Sequence, residues 1–353
     1  MVYGIRLLLL LLTFVITNGA IFPDYPACTE QGIVFKKSVN YTKCSTINNT
    51  HEEYRSLCGP DSESVFQYID MDGLACSLSS AVVVGGISTG TRYNTKLFIK
   101  NGTITRNASS KIAHRLFTVH YATLDLTNMV LAQGLVVHPG QNGINPCESE
   151  GDDLCYGGLV FLSSGDLEAR ATHFLDGEAY SGGAIYARLS SSVDLSSYGF
   201  YALSDPSCSI EGNRAQNKGG GIFVGEGSIL YNSLYNDYDS IKSLIKNNTV
   251  GYINIGQPIH TDLKIHGRSV ASYPCYAENQ TVKKCSHYAM GGGIYLESSK
   301  QRKNNFWLNL IIKDNSATGA GGGIYAEGSD DPYRRVTLEL EDTIIQNNTV
   351  GYT

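Results

Sequence analysis

Short apolar runs broken by glycine, asparagine and small polar residues make up most of this chain. Between Gly157 and Tyr325 one unit returns repeatedly: glycines, a branched apolar residue, then an aromatic. The copies are Gly157-Gly158-Leu159-Val160-Phe161, Gly182-Gly183-Ala184-Ile185-Tyr186, Gly219-Gly220-Gly221-Ile222-Phe223, Gly291-Gly292-Gly293-Ile294-Tyr295 and Gly321-Gly322-Gly323-Ile324-Tyr325. In a strand successive side chains point to opposite faces. Val160, Ile185, Ile222, Ile294 and Ile324 therefore share a side with Leu162, Ala187, Val224, Leu296 and Ala326. That side is apolar throughout and is expected to form the core. Phe161, Tyr186, Phe223, Tyr295 and Tyr325 share the other side with Ser163, Arg188, Gly225, Glu297 and Glu327, so the aromatics are expected to face outward.

The unit has a second half: an apolar residue, two others, and an asparagine. It reads Ile210-x-x-Asn213, Ile245-x-x-Asn248, Ile312-x-x-Asn315 and Ile345-x-x-Asn348, with Phe174-x-x-Gly177 as a degenerate copy and Phe98-x-x-Asn101 as an earlier echo. Glycine supplies the positive φ and close backbone approach that a corner needs. Asparagine tolerates the left-handed conformation, and stacked asparagine side chains can hydrogen-bond as a ladder. Asn213, Asn248, Asn315 and Asn348 are the expected ladder. Asn247 and Asn347 would then point outward, where glycans could be added.

A pattern returning every few tens of residues marks a solenoid, each copy one rung stacked on the next. No convincing long helix follows the N-terminus. Rungs of ~28 residues would give about ten of them, and at ~4.8 Å each a rod of roughly 50 Å. Residues 21–80 lack the repeat and read as an N-terminal cap, which covers a first rung's core and its backbone edge; repeats are expected over 81–353.

The N-terminus changes the cellular picture. Arg6 precedes the apolar run Leu7 to Ile16 and the small, polar Thr17-Asn18-Gly19-Ala20, so residues 1–20 read as a signal peptide, too short to span a bilayer. No other apolar run approaches membrane length, so no transmembrane segment is expected in this chain. All nine cysteines follow that leader, which suits an oxidising compartment. Cys28, Cys44, Cys58 and Cys76 crowd the cap and are candidates for two bridges, while Cys147 with Cys155 and Cys275 with Cys285 are spaced as loop staples. Cys208 is the odd one: buried and free, or bonded elsewhere. Asn-x-Ser/Thr sequons at Asn40, Asn48, Asn101, Asn107, Asn247, Asn279 and Asn347 point to the eukaryotic secretory route. A net charge of −6 without a basic stripe argues against nucleic acid as a ligand, and 23 tyrosines with few charges suit β-structure.

The paired halves, such as Gly182-Gly183-Ala184-Ile185 and Phe174-x-x-Gly177, resemble the repeats of the chlamydial polymorphic outer membrane proteins, and more broadly secreted proteins with parallel β-helix repeats. The resemblance covers about residues 155–353. It implies an all-β, right-handed parallel β-helix of the pectin-lyase-like kind and a surface-adhesion role. Chlamydial family members are adhesins whose β-helix passenger precedes an outer-membrane barrel; no barrel segment is seen here, and the cysteines and sequons depart from that pattern. After Asn348 the next glycines fall due just past Thr353, so the chain is expected to stop mid-rung, with an anchor possible beyond residue 353.

Candidate chemistry adds little. Of the polygalacturonase-like motifs only Asp152-Asp153 occurs, in the loop between Cys147 and Cys155, and it reads most simply as a solvated loop. Asp330-Asp331 before Pro332 reads as a turn. Glu148, Glu150, Asp152 and Asp153 lack calcium-loop spacing, and His260, His266 and His287 have no triad or metal spacing. No metal, cofactor or catalytic residue is assigned. The expected function is a secreted or surface structural or adhesion protein that binds glycans or extracellular proteins through the aromatic face. The alternative is a polysaccharide lyase or hydrolase, which would need acids and an arginine or lysine converging in one lateral groove.

Overall fold

The computed structural model describes residues 37–43, 65–85, 95–109, 113–136, 155–195, 208–225, 227–231, 242–251, 264–265, 268–269, 289–298, 304–327, 336–340 and 342–350. Among them there is no α-helix. The strands form parallel stacks, as a β-solenoid requires. One rung shows the route. The chain runs along Ile185–Arg188 on a glycine-edged sheet, then along Ser192–Asp194 and Ser209–Glu211 on two arms of a bent sheet. It passes Asn213, follows Arg214–Lys218 on a short third sheet, and returns to the first sheet at Ile222–Val224.

The glycine-edged sheet has seven strands, from Val82–Gly85 through Phe117–His120, Val160–Ser163 and onward to Ile324–Ala326. All of its pairings are parallel, and the repeats lie directly over one another: Val160 pairs with Ile185, Ile185 with Ile222, Ile222 with Ile294, and Ile294 with Ile324. Among the described residues seven strands stack along this sheet and eight along each arm of the bent sheet, against about ten rungs expected, because successive strands of a sheet lie further apart in the chain than a ~28-residue period allows. The rung between Ile222 and Ile294 alone includes all of 252–288. At ~4.8 Å per strand the seven span roughly 30 Å.

The bent sheet is held together by two long strands, Thr95–Arg106 and Thr123–Ala132, each of which serves both arms. Its first arm continues through Asp166–Arg170, Ser192–Asp194 and Ile229–Tyr231; its second through His173–Leu175, Ser209–Glu211, Ser243–Lys246 and Leu310–Lys313. The inward side chains fill one continuous core. Phe117, Val160, Ile185, Ile222 and Ile294 face Leu124, Leu167, Val193, Leu230 and Phe306 from the first arm, and Leu131, Phe174, Ile210, Ile245 and Ile312 from the second, all excluded from water. At roughly 1.5–3 kcal/mol for each large apolar side chain buried, these rows supply the main drive for stacking.

Val65–Asp70 and Ala75–Leu78 fall inside 21–80, the segment expected to be a cap, yet both pair in parallel with Thr95–Arg106. Among the described residues the parallel stack thus includes strands from Val65 on, ahead of the expected start at 81, with β-branched and aromatic residues that carry no glycine signal. Lys37–Lys43 lies antiparallel against Val65–Asp70, opposite in sense to the rungs. At the other end of the described stack the rows reach solvent: Ile344, Ile345 and Val350 are 46–57% exposed.

Candidate functional surface

The asparagine row is where sequence and geometry agree most fully. Asn213, Asn248 and Asn315 are completely buried at the corner between the bent and short sheets. Each backbone N–H and each side-chain amide donates to the Oδ1 of the asparagine one rung on: Asn213 to Asn248 at 3.0 and 2.9 Å, Asn248 to Asn315 at 2.9 and 3.0 Å, Asn315 to Asn348 at 3.0 and 2.9 Å. The second amide hydrogen goes back one rung, to the carbonyls of Phe174, Ile210, Ile245 and Ile312. Every polar atom of a buried corner is satisfied, as a low-dielectric interior demands. At the degenerate copy the Gly177 N–H donates to Asn213 Oδ1 at 2.8 Å, which starts the ladder.

The residue just before each ladder position turns left-handed: Asp176, Gly212, Asn247, Asp314 and Asn347 have φ between 51° and 67°. Asn, Asp and Gly are the types that accept this. Asn247 and Asn347 are exposed there, as expected. On the facing corner Gly220 is packed too closely for any side chain, since a Cβ would lie 2.3 Å from the Gly292 carbonyl oxygen.

The aromatic row corrects the expectation of an open face. Phe161, Tyr186, Phe223, Tyr295 and Tyr325 do lie on the side of the sheet away from the main core, in a cluster of their own. They are not accessible, however: Phe161 is 0% and Tyr186 9% exposed, and only Tyr325 is half-buried. In-register stacking places each ring over the next, with centroids 5.7, 4.4, 5.2 and 5.3 Å apart and planes within 15°. Flanking groups close the sides. Tyr156 stacks on Tyr186 at 4.6 Å, the Arg115 guanidinium lies 4.7 Å from the Phe161 ring centre, and the Lys218 ammonium lies 4.5 Å from that of Tyr295. Burial, followed by the charges of Glu327 and Glu297, pushes the Tyr295 phenol well above its usual pKa. The rings meet one another, which is the cross-strand pairing that stabilises a sheet.

A polar strip that sequence reasoning missed lies on the first arm of the bent sheet. Asp125 pairs with Glu168, Glu168 with Asp194, and Asp194 with Tyr231, one per rung in a single row. Arg170 binds both oxygens of Asp125 at 3.0 and 3.2 Å and reaches Glu168 at 3.0 Å. Thr127 donates to Asp125 at 3.4 Å. Asp125 and Asp194 are buried, whereas Glu168, Arg170 and Tyr231 are partly open. Burial pushes Asp125 up to about 6; Arg170 pulls against it and Glu168 adds to it. A signal for this row does exist in the sequence: Leu124-Asp125-Leu126, Leu167-Glu168-Ala169 and Val193-Asp194-Leu195 each set one acid between two inward apolar residues.

Among the cysteines, Cys76 and Cys155 are disulfide-bonded. Cys208 is buried and free, the first of its expected alternatives, its thiol pushed up to about 11 by burial. Cys28, Cys44, Cys58, Cys147, Cys275 and Cys285 lie outside the described residues. So do the leader 1–20, Asn48, Asn279, Glu148, Glu150, Asp152-Asp153, Asp330-Asp331, His260, His266 and His287. Asn40 lies in Lys37–Lys43. Asn101 and Asn107 are half-buried and both use their amides: Asn101 joins Asp70 to Asn128, and Asn107 accepts from the Ser109 N–H. Among the described residues no helix is long and apolar enough to cross a membrane, and no group of three or more His, Cys, Asp or Glu side chains is arranged to hold a metal ion.

The stacked parallel rungs and their two ladders define a β-solenoid repeat protein. Within that class, residues 207–225 and 309–327 match the model of the Chlamydia polymorphic membrane protein repeat. Each matched segment runs from an Ile-x-x-Asn half, Ile210 to Asn213 or Ile312 to Asn315, to the glycines and aromatic that follow. No curated protein and no solved structure matches the chain.

Proposed function

We propose that this chain is a secreted or cell-surface solenoid with a structural or adhesive role, which recognises glycans or extracellular proteins along the side of its stack. The observation that carries this reading is that the glycine, asparagine and aromatic rows are all spent on joining rungs. Recognition then falls to the first arm of the bent sheet, where Glu168, Arg170, Ser192 and Tyr231 reach solvent in adjacent rungs. Carboxylates, a guanidinium and a tyrosine ring at a spacing of ~4.8 Å suit hydroxyl-rich chains or polar peptide surfaces. The apolar leader, the disulfide-bonded Cys76 and Cys155, the exposed sequons and the repeat match support the location. A glycan array with the purified chain tests it. Binding lost in E168Q and R170A but kept in Y186F supports the strip as the ligand face; binding unchanged in all three contradicts it.

A second reading, cleavage of a polysaccharide, is favoured by one observation: Asp125, Glu168, Asp194 and Arg170 converge on that same strip. Paired carboxylates can act as acid and base on a glycosidic bond, and a group held near pH 6 is suited to exchanging a proton. Incubation with a panel of neutral and uronic-acid polysaccharides, read as new reducing ends or unsaturated ends, distinguishes the two. Turnover abolished by D125N and E168Q would establish the enzyme; binding without turnover leaves the adhesive reading.

A further inference from the structure

We infer that Asn247 and Asn347 carry N-linked glycans that stand in one row on the corner between the second arm of the bent sheet and the short sheet. The inference rests on the secretory reading above and goes beyond it, because it selects among the sequons and assigns the shielded side of the rod. Asn247 and Asn347 occupy the same position of the rung, the exposed left-handed residue that precedes a ladder asparagine. Alternation decides their direction: Asn248 and Asn348 turn in to the ladder, so their neighbours turn out. Among the described residues neither outward amide has a side-chain hydrogen bond, so a sugar on Nδ2 displaces nothing there. The hydroxyl-bearing third positions, Thr249 and Thr349, begin the short-sheet strands that follow.

The contrast is with the sequons at Asn101 and Asn107. Asn101 donates to Asp70 Oδ1 at 3.1 Å and accepts from Asn128 at 3.0 Å, a polar stack across three strands. Asn107 holds a turn through the Ser109 N–H at 2.9 Å. A glycan on Asn101 would remove one donor hydrogen and push a bulky group into that stack. The folded chain therefore accommodates sugar at the ladder corner and not at Asn101. Attachment forms one bond, from Nδ2 to the anomeric carbon of an oligosaccharide carried on a lipid pyrophosphate. The sugar–phosphate bond breaks, the lipid pyrophosphate leaves with the electron pair, and Nδ2 gives up one proton.

Asp314 sits between the two asparagines in the row, so the glycans are two rungs apart, roughly 10 Å at the strand spacing. They cover the corner beyond Ser243–Lys246 and Ile344–Gln346 and leave the strip of Glu168, Arg170 and Tyr231, on the other arm, open. The glycans thereby keep a partner off that corner while leaving the first arm accessible.

The test is secretion of the full chain from a eukaryotic cell line, with glycopeptide mapping and N-terminal sequencing of the same sample. The expected result is a cleaved leader, Asn247 and Asn347 converted to Asp by peptide N-glycosidase, and Asn101 unmodified. T249A and T349A, which leave both asparagines and the ladder intact, each remove one glycan while secretion continues. A secreted, cleaved chain with bare Asn247 and Asn347, or with sugar on Asn101, overturns the glycan row alone. A chain retained with its leader uncleaved overturns the secretory reading and the glycan row together.

Discussion

The asparagine corner and the aromatic face are built on the same plan, one residue per rung in perfect register, but they differ in what their side chains need. Asn248 is a polar group in a dry corner, and it survives there because the rungs on both sides supply every partner. Phe223 points away from the main core and is nonetheless only 4% exposed, because Tyr186 and Tyr295 lie 4.4 and 5.2 Å from it. In a parallel in-register stack, outward is therefore not the same as accessible. A row of large flat side chains buries itself, whereas in the acidic row Asp125 and Asp194 are buried and Glu168, paired with Arg170, stays partly solvated.

Four substitutions separate these roles. Gly220→Ala places a Cβ 2.3 Å from Gly292 O and 2.6 Å from Thr249 O, and neither backbone can retreat without pulling a rung out of the stack. The expected cost exceeds about 4 kcal/mol, in the range of severe core disruption. It would be seen as loss of the cooperative unfolding transition followed by far-UV dichroism.

Asn248→Ala removes partners from the Asn213 N–H, the Asn213 amide and the Ile210 carbonyl at once. At roughly 1–3 kcal/mol for each buried group left unpaired, and allowing for relaxation, about 3–5 kcal/mol is expected in denaturant titration. A loss below about 1 kcal/mol would mean that water replaces the ladder.

Asp125→Asn tests the charged row by pH. Asp125 holds its proton more tightly when folded, near 6 against 3.8, because burial disfavours its charge. The folded state is therefore favoured by this group at low pH, and its contribution falls as pH rises from about 4 to about 6. The native chain is expected to lose about 2–3 kcal/mol relative to D125N across that window, since each pH unit separating the folded and unfolded pKa corresponds to about 1.4 kcal/mol. Parallel stability curves for the two proteins would contradict the burial assigned to Asp125.

Phe223→Leu keeps an apolar group in the aromatic row but breaks two ring stacks. The expected cost is about 1 kcal/mol, with glycan or protein binding unchanged, since the ring faces no ligand. Weakened binding at unchanged stability would restore the aromatic face as the contact surface.

Much of the architecture was legible in the sequence because the repeat couples residue type to place. Only Gly219 and its counterparts fit their corner, and Asn213, Asn248, Asn315 and Asn348 sit in the ladder expected of them. Accessibility was not legible, because it depends on neighbours from other rungs and flanks, such as Arg115 over Phe161, that no local pattern announces. The first rungs were hidden for a different reason: Val65–Asp70 and Ala75–Leu78 stack through ordinary β-propensity, without glycines or a ladder asparagine. The acidic strip was readable only in retrospect, since Leu124-Asp125-Leu126 gains meaning once it is known to lie beside Leu167-Glu168-Ala169.

The asparagine ladder ties consecutive rungs into one cooperative stack, and amide hydrogen exchange on the native chain and on N248A probes that coupling rung by rung. The backbone amides of Asn213, Asn248 and Asn315 are expected to be among the slowest in the native chain, and N248A is expected to speed exchange on both sides, at Asn213 one rung before and across Leu310–Lys313 one rung after. Fast exchange at these amides in the native chain, or an N248A effect confined to its own rung, would contradict it.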